Sequence, residues 1–472
     1  MPDGRRTHCE WTETMNSLRA RFRAAIVALS EGLIERDLPV RLGLLAALAG
    51  EHLLLVGPPG TAKSELARRL HMAFPDAGYF ERLLTRFSVP EELFGPLSIV
   101  ALESDRYERQ TEGYLPSASI AFIDEVFKAN SAILNALLTL LNEREFDNGN
   151  RRVSCPLISV VGATNEVPED DLLAAFYDRF LLRVRIEPVA RESFAGLVRG
   201  LDRKPNALHE EMRLHDHQLK EIAEGSRAVA IPDEVMALLV ALRDFLDAEG
   251  IYVSDRRWRK IAGLLRVAAF TDGRLEVSAW DCWLLRFCAV EHPDQREKVG
   301  EWYERRLGVF EALDPERLRR VADGFEAQLD LEANASELNY DADGRLSMMS
   351  DLKDNKQGEA ALRLPTFAKR RRYGPRHIAA RVKQIEGIVR ETELYLDRLD
   401  ARVGELQTMV ADHLWIEPGF GARAAATLAE TRAVVESVRR RLLSAAAGFQ
   451  SLPRMEGAGS TDESEPEPVG FA

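Results

Sequence analysis

Gly57-Pro58-Pro59-Gly60-Thr61-Ala62-Lys63-Ser64 follows the apolar run Leu53-Leu54-Leu55-Val56 and precedes a helical pattern over residues 65–74. A short, wholly apolar run ending in glycine suits a strand buried on both faces of a parallel sheet. A glycine-rich turn that closes on Lys-Ser between such a strand and a helix has the layout of a phosphate-binding loop. Backbone N–H groups of Gly60 to Ser64 can surround phosphate oxygens, and the helix continued by Glu65 offers its positive end. Lys63 can reach the β and γ phosphates, and Ser64 can hold Mg²⁺. Ala62 stands where the strict G-x-x-x-x-G-K-[ST] pattern has its last glycine. The expectation is a helical dihedral there with negative φ, at which alanine costs nothing.

Three further apolar runs follow: SIAFID at 119–124, LISVVGATN at 157–165 and FLLRVRI at 180–186. Helical segments such as SELARRLHMAF and NSAILNALLTLLNER intervene, which predicts a doubly wound α/β domain over residues 1–190. Strands of this kind present their carboxyl ends to the ligand. Asp124 can therefore hold Mg²⁺ through water while Glu125 polarises an attacking water, and Asn165 can orient that water. Two hairpins are expected to project from the domain. One is built from 98–102 and 106–111; the other spans 145–153 and turns at Asn148-Gly149.

The chain has 472 residues, 46% hydrophobic and 29% charged, enough to build several cores. Its 63 Lys and Arg against 76 Asp and Glu give a net charge of -13, which argues against wholesale, charge-driven wrapping of nucleic acid. Cys9, Cys155, Cys282 and Cys288 form no C-x-x-C pair and read as reduced thiols. His215-x-His217 lacks further metal ligands nearby. No window reaches the ~18 apolar residues of a membrane span, and the first ten residues have no apolar signal core. A cytoplasmic protein is the expectation.

Residues 191–330 read as an all-α lid domain with the helices that follow it, Pro232-Asp233-Glu234 opening one helix and Ser254-Asp255 capping another. Residues 331–380 are irregular and read as an inserted segment. Its Lys369-Arg370-Arg371-Arg372 run is a solvated stretch or a contact for acidic lipid or protein. Residues 381–450 form a C-terminal helical hairpin by their three-and-four spacing, and the tail 451–472 is expected to be disordered.

Lys63-Ser64, Asp124-Glu125, Asn165, Asp178-Arg179-Phe180 and Ser254-Asp255-Arg256 occur in the order of phosphate loop, Walker B, sensor 1, arginine finger and sensor 2. In this the chain resembles AAA+ ATPases over residues 17–300. GPPGTAKS, the DRF triplet and the segment before GYLPSASIAFIDE are similar to the MoxR branch. TRFSVPEELFGPLSI, RYERQTEGYLP, FYDRF and YVSDRRW are similar to its RavA-type regulatory ATPases. The resemblance implies Mg²⁺-dependent ATP hydrolysis by a ring, usually a hexamer. In it Arg179 reaches the neighbour's γ phosphate, and Arg256, or the adjacent Arg257, contacts nucleotide in its own subunit. It also implies chaperone-like remodelling of a protein client with a von Willebrand factor A domain partner. RavA-type proteins carry in their C-terminal bundle a β-rich module that binds a lysine decarboxylase. The corresponding segment here, 331–380, is short and poorly patterned. Two alternatives stay open: a DNA-directed AAA+ motor or loader, and a nucleotide-gated binding scaffold with little turnover.

Overall fold

Strand β1 (His52–Val56) is buried at all five positions, as its apolar run predicts. The computed structural model describes residues 8–168, 171–199, 208–307, 314–338, 368–455 and 466. Contacts divide the chain into one unit of residues 1–304 with 408–421 and a second of 305–407 with 422–472.

In the first unit β1 is joined by β2 (Tyr79–Leu83), β3 (Ile120–Asp124), the hairpin β4 (Glu145–Asn148) and β5 (Arg151–Ser154), β6 (Ser159–Thr164) and β7 (Phe180–Arg185). The main sheet has the order β2-β3-β6-β1-β7, with every pair parallel. Helices α1 (His8–Ser30) and α2 (Asp37–Leu48) precede β1, and α3 (Lys63–Met72) follows the loop. Then come α4 (Pro90–Phe94), α5 (Ile99–Leu102), α6 (Ser131–Glu143) and α7 (Asp171–Tyr177). Alternate side chains point to opposite faces of a strand, and β1 shows it. Leu54 and Val56 share a core with Ile133, Leu137 and Leu140 of α6. Leu53 faces the other way, toward Gly43 of α2 and beside Leu66 and Leu70 of α3. Both faces are covered, and the doubly wound reading holds.

Beyond β7 the unit is helical: α8 (Arg191–Arg199), α9 (Asp216–Arg227), α10 (Asp233–Ala248), α11 (Asp255–Thr271), α12 (Leu285–Cys288) and α13 (Arg296–Arg306). Cys155, Cys282 and Cys288 are buried free thiols.

The structure corrects the expected hairpin at 98–111. Ser98 accepts from Ala101 N, and Leu102 and Glu103 close helical bonds onto Ser98 and Ile99, so residues 99–102 coil into α5. Of the ladder only the bridge between Leu97 and Arg109 forms. The hairpin β4–β5 is present, but the pair Asn148↔Arg151 makes Gly149-Asn150 its two-residue turn. Gly149 has φ +67°, the pattern of a primed turn with glycine first.

The second unit contains α14 (Pro315–Asn334), β8 (Ser336–Leu338), β9 (Ala368–Arg370), α15 (Pro375–Glu405) and α16 (Phe420–Gln450). Arg432 pairs with Asp400 and Arg439 with Glu393, so α15 and α16 run antiparallel, as the hairpin reading requires. Arg441 ties α16 to Asp323 and Glu326 of α14. Part of the basic run, Lys369 and Arg370, lies on β9, which pairs with β8. Most of the inserted segment and of the tail lies outside the described residues.

Candidate active site

The site assembles where β1, β6 and β3, neighbours in the sheet, end. Gly57 leaves β1 with its N–H donating to Thr164 O at 3.0 Å. A Cβ on Gly57 would stand 2.1 Å from Ile186 O, so glycine alone fits between the loop and the exit of β7. Pro58, Pro59 and Gly60 are exposed at the crest, Gly60 with φ +78°. Thr61 Oγ1 donates to Pro58 O at 2.9 Å, which closes the turn on itself.

Ala62 departs from its expected dihedrals. It has φ +66° and ψ +26°, the left-handed region, immediately before Lys63 opens α3. There the side chain crowds the backbone, at a cost of about 1–2 kcal/mol, so the missing glycine is not free.

Lys63 is buried, and its Nζ donates to Gly57 O, to Pro58 O at 3.3 Å and to Asn165 Oδ1 at 3.2 Å. Burial lowers its pKa below the ordinary lysine value, while Asp124 and Glu125 pull the other way. Among the described residues no carboxylate comes within ion-pair distance of it. A largely desolvated ammonium resting on carbonyl oxygens inside a loop at a helix N-terminus suits an anionic phosphate.

Asn165 connects the other two groups. Its Nδ2 donates to Glu125 Oε1 at 2.5 Å while its Oδ1 accepts from Lys63. Glu125 has φ +52°, its N–H donates to Asp124 Oδ1 at 3.0 Å, and Lys128 pairs with its Oε2 at 3.3 Å. A left-handed glutamate at a strand end is a strained backbone position of the kind that collects at active sites. Ser64 and Asp124 are both half-buried and are the residues that would hold Mg²⁺. Glu65 lies in the first turn of α3 and accepts from Arg69 Nε at 2.9 Å, so its carboxylate is engaged within the helix.

The two arginines of the family pattern lie at the opposite edge. Arg179 immediately precedes β7, whose Phe180 pairs with His52 at the start of β1. A five-residue strand, roughly 16 Å, separates that edge from the loop. The Nε of Arg179 is buried without a hydrogen-bond partner. Arg256, in the first turn of α11, donates to Asn142 Oδ1 and borders a cleft of about 800 Å³ beside Gly50, Glu51, Arg144 and Lys260. The structure thus does not bring Arg256 to the loop of its own chain. The reason is the docking of α11: Arg257, buried, donates to Asp178 Oδ1 at 3.2 Å and to Leu181 O and Cys288 O, each at 2.6 Å. Arg257 is thereby a structural anchor, not the fallback nucleotide contact. His215 contacts Asp76 and Glu210, and no metal-type cluster forms among the described residues.

Arg36 escaped the sequence reading. It precedes α2, is buried, and donates through Nε to Thr61 O at 3.2 Å and through Nη2 to Glu187 O at 2.7 Å. Its signal was a basic residue where a helix start prefers Ser, Thr, Asp or Asn.

Known protein families match this chain in two regions. Residues 20–224 match the family described as the MoxR domain in MoxR-vWA-beta-propeller ternary systems, and residues 234–303 match an AAA lid domain. An uncharacterized protein of Methanocaldococcus jannaschii is 41% identical over 58% of this chain and 72% of its own length. Protein MoxR of Paracoccus denitrificans is 30% identical over 38% of this chain and 54% of its own. Chaperone MoxR1 of Mycobacterium tuberculosis is 28% identical over 34% and 43%. A crystal structure from Cytophaga hutchinsonii shares the fold, with a TM-score of 0.51 at 19% identity over 62% of this chain and 96% of that one.

Proposed function

The chain belongs to the MoxR family of AAA+ ATPases, and from that premise we propose that it hydrolyses ATP to ADP and phosphate with Mg²⁺, in a ring whose subunits share each site. Gly57 to Ser64 hold the phosphates, Ser64 and Asp124 hold the metal, Glu125 is the base, and Asn165 positions the water. The observation that carries this reading is the chain of contacts Lys63–Asn165–Glu125 across the ends of β1, β6 and β3. When bound, the metal would offset phosphate charge. The protein's own part is to hold the triphosphate, keep Glu125 aimed, and exclude competing partners from Lys63.

Arg179 and Arg256 share the edge remote from their own loop, so both would serve a neighbour's nucleotide. This moves Arg256 from an action within its own subunit to one across the interface. A hexamer is the proposed ring. The work of hydrolysis is the remodelling of a protein client, with a von Willebrand factor A domain protein as partner, the association named in the description of the matching family. The RavA-type reading rests on TRFSVPEELFGPLSI and YVSDRRW.

The test is steady-state ATPase activity of wild type, Glu125→Gln and Arg179→Ala across protein concentration, with mass photometry on the same samples. Specific activity should rise as rings form, and both variants should lose about 10²-fold or more. Activity independent of assembly, or an unaffected Arg179→Ala, would remove the shared site.

A further inference from the structure

Arg36 is an unfavourable residue for its place if helix stability alone decided. It caps α2, where the helix end carries partial positive charge and a short acceptor side chain is preferred, yet its side chain makes no cap bond. Arg36 is 6% exposed and meets no carboxylate at ion-pair distance among the described residues. All three of its hydrogen bonds go to backbone carbonyls: Glu35 O at 2.9 Å, Thr61 O at 3.2 Å and Glu187 O at 2.7 Å. Two of those carbonyls belong to the phosphate loop and to the segment leaving β7. At its other end the loop abuts the same segment, through Gly57 against Ile186. Arg69, also buried, laces α3 back to the end of α1 through Leu29 O at 3.1 Å.

The Thr61 carbonyl and the Ala62 N–H belong to one planar peptide and point in opposite directions. Holding the carbonyl toward Arg36 therefore turns the Ala62 N–H to the far side. Ala62 is the strained residue, at φ +66°, and an unsupported peptide there would rotate to relieve it.

We propose that Arg36 is a positioning residue for nucleotide binding: it clamps the Thr61–Ala62 peptide against Glu187 and so keeps the Ala62 N–H directed as a phosphate donor despite the strain. This rests on the nucleotide-binding reading above. Arginine suits the task because its planar fork spans two carbonyls at once, whereas a lysine is a single point.

The test uses the full chain with Mg²⁺, titrating mant-ADP by fluorescence, with steady-state KM and kcat and the melting temperature without nucleotide. Arg36→Ala should raise the mant-ADP Kd and the KM for ATP about tenfold with a smaller change in kcat, and Arg36→Lys should fall between. Adding Ala62→Gly to Arg36→Ala should recover part of the lost affinity, because glycine holds the left-handed turn unaided. A merely structural role would lower the melting temperature and leave Kd and KM at wild-type values, and that result overturns the proposal. If Arg36→Ala does not fold, Arg36→Lys decides in the same way. A wild type that binds no mant-ADP overturns the nucleotide reading itself. Equal binding by wild type and variants removes Arg36 alone.

Discussion

At the scale of single residues, Ala62 and Lys63 show how the loop stores its binding capacity. Ala62 sits left-handed at φ +66°. Replacing it by glycine relieves about 1–2 kcal/mol of crowding and returns about 0.5–1 kcal/mol of chain entropy, for a small net gain. Ala62→Gly should therefore melt slightly above wild type without nucleotide, in differential scanning fluorimetry. A lower melting temperature would mean that the residue is not strained. Lys63 makes a second prediction. Its folded pKa lies below the ordinary 10.5, chiefly through burial. Without nucleotide the fold bears the cost of a buried charge below that folded value, and the cost vanishes as pH rises through the window up to 10.5. An anion needs the charge, so nucleotide affinity should fall across the same window. As pH rises toward 10.5, mant-ADP binding should weaken in wild type and stay flatter in Lys63→Arg, whose guanidinium does not titrate there. Parallel pH profiles would place the titrating group elsewhere. The sequence made Lys63, Asp124, Glu125 and Asn165 legible because each follows an apolar run, and the end of a run is the end of a strand. It could not make Ala62 legible, since that dihedral is set by closure of the loop onto Ile186 and Arg36. Arg36 itself, remote in sequence from everything it binds except Glu35, leaves only its odd place before a helix.

Among elements, the segment 408–421 is the least expected. The sequence reading places it within the helical hairpin of residues 381–450, yet it belongs with the first unit. Trp415 is buried there, its Nε1 donating to Thr271 Oγ1 at 2.9 Å at the end of α11. His413 Nε2 lies 3.0 Å from Asp281 Oδ1, and Arg274 grips both oxygens of Asp281 at 2.7 Å. Burial alone would raise the pKa of Asp281, but Arg274 and His413 more than offset it and hold the carboxyl well below its ordinary value. A carboxylate depressed in this way gives its full stability above the unfolded value of 3.8 and loses it only as pH falls through the lower folded one. Asp281→Asn takes from half-buried Arg274 one of its two carboxylate partners, leaving Asp272 at 3.2 Å, and should cost about 1–3 kcal/mol. Thermal melts at neutral pH should show that loss, and it should shrink in strong acid, where wild type loses the same charge. An unchanged melting temperature would mean that the network contributes nothing. Elsewhere among the elements, β2 was missed because Glu81 and Arg82 break its apolar pattern at the sheet edge. α5 was misread because Ile-Val-Ala-Leu carries β-branched residues yet has Ser98 to cap it.

For the whole molecule, the decisive fact is that one strand, β1, has the phosphate loop at its carboxyl end and Arg179 and α11 beside its amino end. Motif order in the sequence listed these groups as one set. A parallel sheet necessarily separates residues that leave strands from residues that enter them, so order along the chain says nothing about proximity. Closed rings satisfy both edges at once, because a head-to-tail interface sets the entering edge of one copy against the leaving edge of the next. That arrangement has a consequence that no single-chain site shares. In the proposed ring, Glu125→Gln would disable a subunit's own site but leave its Arg179 available to a neighbour, while Arg179→Ala would do the reverse. Mixed after dissociation and allowed to reassemble, the two inactive variants should recover activity, up to about a quarter of wild type if subunits mix at random, since a working site needs one variant on each side. Mass photometry on the mixture confirms that rings have re-formed. If the rings mix and activity stays at the level of the separate variants, Arg179 acts in its own subunit or not at all, and the shared site fails with it.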